Sequence, residues 1–219
     1  MPEKTTTIDT RPLILASGSR YRRTLLERLG LPFEVAAPDI DETPAPGEGP
    51  AATARRLAIA KARAVATARS DALVIGSDQV ADCDGVALSK PGTHEAARAQ
   101  LASLSGRRIV FHTAVALIDA ASHRCQLSQV DVTSCFRRLD AATIDNYLLR
   151  ERPYDCAGAV RSESLGIALF ERIESGDPTA LIGLPLIAVT SMLANESVDV
   201  LGTAHAAPRA SAAGNARPR

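Results

Sequence analysis

Residues 72–77 read Ala-Leu-Val-Ile-Gly-Ser, an uncharged run that leads straight into Asp78. It is too short for a stable helix and lacks the alternation of a half-exposed strand, so it predicts a strand buried within a sheet. A helical stretch precedes it over residues 51–70, with Leu57, Ala60, Ala64 and Ala68 near one face. Leu13 to Ala16 is a second apolar run, broken by Ser17-Gly18-Ser19, and Ser19 is placed to cap a helix reaching Leu29, with Gly30 as its stop. Strand followed by helix, several times over, argues an α/β sheet.

The remaining chain makes that sheet mixed. Phe33 to Ala37 reads as a strand, and Pro38 to Pro50 as a loop rich in proline and acid. Asp84-Gly85 is a hairpin turn signal, and Thr93 to Leu104 is helical. Arg108 to Ile118 and Cys125 to Arg137 read as two long adjacent strands. Asp140 caps a helix to Arg150, and a last helix spans Leu184 to Asn195 with Pro185 in its first turn. A hairpin and long neighbouring strands suit a mixed sheet rather than a parallel one. Residues 1–11 read as a flexible leader, 12–203 as one domain and 204–219 as a disordered tail.

Charge narrows the partners. The chain carries 25 basic and 25 acidic residues, so no global field draws it to nucleic acid or anionic lipid. An anionic substrate must instead be gripped by a local cluster. The longest apolar run, Ala180 to Val189, falls short of the ~20 residues of a membrane span and contains Pro185. The expectation is a soluble, cytoplasmic protein with neither a nucleic-acid nor a membrane partner. Cys83, Cys125, Cys135 and Cys156 form no C-x-x-C pair, and His94, His112, His123 and His205 lack metal-site spacing. There is no G-x-x-x-x-G-K-[ST] loop and no G-x-S-x-G elbow.

Five short stretches could carry chemistry. Ser17-Gly18-Ser19-Arg20-Tyr21-Arg22-Arg23 joins a strand to a helix, where free N–H groups and arginines suit a phosphate. Asp39-Ile40-Asp41-Glu42 supplies carboxylates for a hard cation. Asp78 stands where a buried strand would aim it at the strand's carboxyl end, as general base or metal ligand. Lys90 sits in Ser89-Lys90-Pro91-Gly92 as a positive charge in a stiff turn. Residues 156–166, CAGAVRSESLG, are small and hold one carboxylate, Glu163. Only three of the basic residues are lysine, namely Lys4, Lys61 and Lys90, and of these Lys90 lies in one of the five stretches; composition alone assigns none of them a role.

The order and spacing of these stretches closely resemble the Maf-like nucleotide pyrophosphatases. The matching segments are LILASGSRYRRTLLERLG, then DE, Lys61, IGSDQV, SKP, SLSG, CAGAVRSESLG and GLPL, from Leu13 to Leu201. The resemblance implies a two-lobed mixed sheet flanked by helices, of the Maf and inosine-triphosphatase kind, with the active site in the inter-lobe cleft. It implies that Ser17, Arg22, Lys61 and Lys90 bind the substrate phosphates, that Asp78 is the catalytic base, and that Glu42 and Asp78 hold a divalent metal cation, Mg²⁺ or Mn²⁺. The implied reaction cuts a nucleoside triphosphate into the monophosphate and pyrophosphate. A homodimer is compatible with the resemblance.

Two departures set the base. The subgroup acting on dTTP and UTP carries the first arginine of an SPRR motif and a glutamine where this chain has Tyr21 and Glu163. With Gln79 after Asp78, the pattern is similar to the subgroup that hydrolyses 7-methyl-GTP. A 7-methylated guanine is cationic, so an aromatic face attracts it by roughly 0.5–2 kcal/mol. A carboxylate at Glu163 would accept from the guanine edge, and a bond to a charged group contributes about 1.5–3 kcal/mol. The subgroup's usual tryptophan is here Tyr21, a weaker cation–π partner. Two other readings stay open: the same chemistry on dTTP, UTP or another modified nucleotide, and a nucleotide-binding regulator of septum formation.

Overall fold

The two apolar runs pair at the centre of the sheet. In the computed structural model, which describes residues 11–202, Leu13–Ala16 forms β1 with all of its residues buried. β1 lies parallel to β3 (Leu73–Cys83), with Leu13 opposite Leu73 and Ala16 opposite Gly76. β2 (Glu34–Val35) adds in parallel to the outer side of β1. On its other side β3 pairs antiparallel with β5 (Arg108–Asp119), which pairs with β6 (Arg124–Phe136), and β6 pairs with β7 (Phe170–Glu174). β4 (Val86–Leu88) folds back onto β3 through Asp84-Gly85, both at positive φ, as a two-residue hairpin demands. The sheet is seven-stranded and mixed, in the order β2-β1-β3-β5-β6-β7 with β4 on β3.

Among the described residues, five helices cover it: α1 (Arg20–Glu27), α2 (Pro50–Ala66), α3 (His94–Leu104), α4 (Ala141–Glu151) and α5 (Leu186–Asn195). Ser19, Thr93 and Asp140 cap α1, α3 and α4, each accepting a backbone N–H three residues on. Apolar side chains collect in three clusters. Leu15, Ile75 and Leu117 meet α1 and α5 on one face, and Ile14, Val74 and Ala116 meet α2 on the other. The third, around Phe111, Phe136 and Phe170, lies under α3 and α4 at the opposite end of the long strands. These ends are the two lobes.

Several local expectations change. β3 does not stop at Ser77 but runs on to Cys83, so Asp78 sits inside the strand. The reason is pairing: β5 stays in register with β3 from Leu73 to Asp82, so polar residues are carried along in the ladder. α1 ends at Glu27, β2 is confined to Glu34–Val35, and Pro185 is the N-cap of α5 rather than a residue of its first turn. The buried stripe of α2 is Ala54, Leu57, Ala58, Lys61, Ala62 and Val65, while Ala64 and Ala68 are exposed. β7 and the 3-10 turns at Ala157–Ala159, Leu165–Leu169 and Ala180–Ile182 were not foreseen. Of the expected leader only Arg11 is described, and it pairs with Asp119 and Glu196; residues 1–10 and the expected tail, 204–219, lie outside the described residues.

Candidate active site

The sheet leaves an opening beside its central strand. β1 accompanies β3 only as far as Gly76, and β4 joins the same edge only from Ala81. Ser77 to Val80 therefore meet no strand on that side. The chain leaving β1 turns away at Ser17, whose Oγ accepts the Ser19 N–H at 3.1 Å, and enters α1. Into this gap opens a cleft of about 860 Å³, lined by Ser17, Arg22, Glu42, Lys61, Asp78 and Lys90 among others.

Packing sets its floor. A Cβ on Gly76 would lie 2.3 Å from the carbonyl oxygen of Ala58, so α2 rests directly on the backbone of β3. That contact turns Lys61 into the interior, opposite Asp78. Lys61 Nζ donates to Asp78 Oδ1 at 2.7 Å and pairs with Glu42 Oε1 at 2.8 Å. Lys61 and Asp78 are both buried, whereas Glu42 reaches in from the acidic loop with an exposed side chain. Burial would push the Glu42 carboxyl up, but the hydrogen bond and charge of Lys61, with Lys90 and Arg22 beyond, hold it below its ordinary value. Glu42 is therefore ionised at neutral pH.

Cations ring the opening. Arg22 Nε donates to the Gly183 carbonyl at 2.9 Å, which fixes the guanidinium at the cleft wall. Ser77 Oγ donates to the same carbonyl at 3.0 Å, so the turn before α5 braces both β3 and Arg22. Burial draws the Arg22 guanidinium below its ordinary value, and the charges of Asp78 and Glu42 oppose this. Lys90 is exposed on the loop after β4.

A second recess of about 120 Å³ adjoins the cleft and shares Tyr21, Arg22, Gln79 and Lys90 with it. Gln79 Nε2 lies within 3.0 Å of the Ala180 and Leu181 carbonyls and of Thr113 Oγ1. Two carbonyls can only accept, so this end of the amide is the nitrogen. Glu163 lines the recess on its far side. Its carboxyl is pushed up by burial, against the opposing charges of Arg161 and Arg20. Tyr21 already carries guanidinium groups, with Arg20 at 4.8 Å and Arg161 at 5.5 Å from its ring centroid.

All nine residues singled out from the sequence thus line the cleft or its recess. Of the acidic stretch, only Glu42 reaches the floor; Asp41 turns back to accept the Thr43 N–H. Gly76, Gly183, Glu151 and Arg161 were not anticipated. A glycine inside an apolar strand is a recognised sign of close backbone approach and could have flagged Gly76. Among the described residues, no three metal-ligating side chains cluster.

Fold and site together define an α/β protein with a cleft of clustered cations and carboxylates beside a mixed sheet. The chain belongs to the Maf-like protein family, whose model matches residues 12–196. It is 58% identical to the 7-methyl-GTP pyrophosphatase of Thiobacillus denitrificans over 86% of this chain and 94% of that one. It is 55% identical to the protein of that name from Cupriavidus metallidurans, over 89% and 98%. With its namesake from Ralstonia nicotianae it shares 58% identity over 84% and 95%.

Proposed function

We propose that this chain hydrolyses 7-methyl-GTP to 7-methyl-GMP and pyrophosphate. The observation that carries the reading is the continuity of the cavities. A cleft walled by Arg22, Lys61 and Lys90 runs into a recess bearing Tyr21, Gln79 and Glu163. One molecule with a polyanionic end and a cationic base matches both. The relatives at 55–58% identity that bear this activity in their names support the same substrate.

The residues divide the work by charge. A triphosphate brings about four negative charges, and Arg22, Lys61 and Lys90 offset them where the pyrophosphate leaves. The water oxygen bonds to the α-phosphorus, the bond from that phosphorus to the bridging oxygen breaks, and Asp78 takes the water proton. Glu42 and Asp78 are two hard carboxylate donors facing one point, the number that Mg²⁺ or Mn²⁺ takes from protein when substrate phosphates complete its shell. A divalent cation held there would neutralise phosphate charge as it develops. Before substrate enters, Lys61 keeps those two carboxylates from repelling each other.

In the recess, Glu163 accepts from the guanine edge and its charge complements the methylated ring. Glu163→Gln keeps the shape and removes the charge. It is expected to cut the preference for 7-methyl-GTP over GTP by about ten- to a hundredfold in kcat/KM. An unchanged preference would remove Glu163, and the base assignment with it.

A further inference from the structure

Arg161 is not among the residues that wall the phosphate cleft, yet its guanidinium reaches Glu151, Asp155, Tyr21 and Glu163 around the recess. Its side chain is only 16% exposed, and Nη1 donates to Glu151 Oε1 at 2.8 Å. The same nitrogen reaches the Glu151 carbonyl at 3.2 Å. The guanidinium carbon lies 5.5 Å from the centroid of the Tyr21 ring. Its Nε is 4.0 Å from Glu163 Oε1, and this buried donor has no hydrogen-bond partner. A buried N–H left unpaired is costly, and a small shift of the Glu163 carboxylate would bring it within hydrogen-bond reach of Nε.

Closing the loop does not require this guanidinium. Glu151 accepts directly from Ser164 Oγ at 2.6 Å and from the Leu165 N–H at 3.0 Å. The Gly166 N–H donates to the Arg161 carbonyl at 3.0 Å, and a Cβ on Gly166 would lie 2.4 Å from that oxygen. Backbone and Glu151 thus shape residues 161–166. The guanidinium's other contacts run to Tyr21, to Glu163 and to the exposed Asp155, 3.6 Å from Nη2.

We propose that Arg161, anchored by Glu151, is a specificity-determining positioning residue: it backs the Tyr21 ring and draws Glu163 into place through Nε when the base docks. This rests on the reading of Glu163 as the base-binding carboxylate. It explains how an aromatic ring on α1 and a carboxylate on a distant loop act as one reader. A planar fork is needed, because lysine cannot both stack and pair sideways.

The test is a kinetic double-mutant cycle of Arg161→Met and Glu163→Gln, with KM and kcat measured for 7-methyl-GTP and GTP. Arg161→Met should raise KM for 7-methyl-GTP about tenfold, change kcat far less, and lower the preference over GTP by a similar factor. In the Glu163→Gln background the same change should have a clearly smaller effect, the part that passes through Tyr21, and Arg161→Lys should recover part of the loss. Arg161→Met that lowers Tm but leaves KM and preference intact would overturn the proposal, as would effects that multiply independently. Should Arg161→Met fold poorly, Glu151→Gln loosens the anchor and should move KM in the same direction; unchanged KM would count against the role. A wild-type preference for another triphosphate would refute the substrate reading instead. The cycle run on that triphosphate would still decide whether Arg161 and Glu163 are coupled.

Discussion

A single ammonium organises the reactive end of the cleft. Lys61 pairs with Asp78 on β3 and with Glu42 from the acidic loop, at 2.7 and 2.8 Å. Asp78→Asn keeps the shape and one acceptor for Lys61 but removes the proton acceptor. Pyrophosphate release should fall about 10²- to 10⁴-fold in kcat, with KM changing far less. A variant with kcat within a few-fold of wild type would assign proton transfer elsewhere. Lys61 and Lys90 were picked out through the family resemblance, and the rarity of lysine in this chain agreed with that without being enough alone, since Lys4 is equally rare. Arg161 was not, because arginine is its ordinary cation and the residue's contacts come from positions as distant as Tyr21 and Glu151.

The elements hold the site by close approach and by capping. Gly76 gives α2 its seat on β3, so Gly76→Ala would drive a methyl into the Ala58 carbonyl. The expected cost is about 1–3 kcal/mol or more in stability, together with loss of turnover as Lys61 is lifted from Asp78. A thermal melt and a pyrophosphate assay on one sample check both. Asp177 does a similar service for the turn before α5. Its carboxylate accepts the Thr179 and Ile187 N–H groups, at 2.9 and 2.7 Å, and Thr179 Oγ1 at 2.6 Å. Asp177→Ala should destabilise by about 1–3 kcal/mol, seen as a lower Tm. At this scale the strands and helices with strong apolar patterns, β1, α3, β5, β6 and α4, were readable to within a residue or two. The end of β3 was not, because Ser77, Asp78 and Gln79 look like a turn until β5 holds them in register. β7 was also hidden: three of its five residues, Glu171, Arg172 and Glu174, are charged and exposed, and its place depends on β6.

The molecule as a whole pairs stability with function in opposite senses at different carboxylates. Glu48 is held down to about 2 by its hydrogen bonds from Arg56 and Ala45. The Ser122 hydrogen bond lowers Asp119, and the Thr143 backbone lowers Asp140. Groups lowered in the fold stabilise it fully above their unfolded values, about 4, and that stabilisation is lost as pH falls through their folded values. Tm should therefore decline on acidification below about pH 4. Glu163 has the reverse sign: burial raises it, so its ionised form costs stability above its folded value. Glu163→Gln should raise Tm at neutral pH, with the gain shrinking as pH falls and the wild-type carboxyl is protonated. A gain that is absent at neutral pH would mean the recess does not hold Glu163 at a cost.

The central claim is that one cavity system recognises a triphosphate and a cationic base together. The direct measurement is pyrophosphate release by the purified protein with Mg²⁺ or Mn²⁺, from 7-methyl-GTP, GTP, dTTP and UTP in parallel. The account predicts a clear preference in kcat/KM for 7-methyl-GTP, with 7-methyl-GMP as the other product. Equal or faster turnover of dTTP or UTP would contradict the assignment of Tyr21 and Glu163, and release from none of the four would contradict the catalytic reading of Asp78.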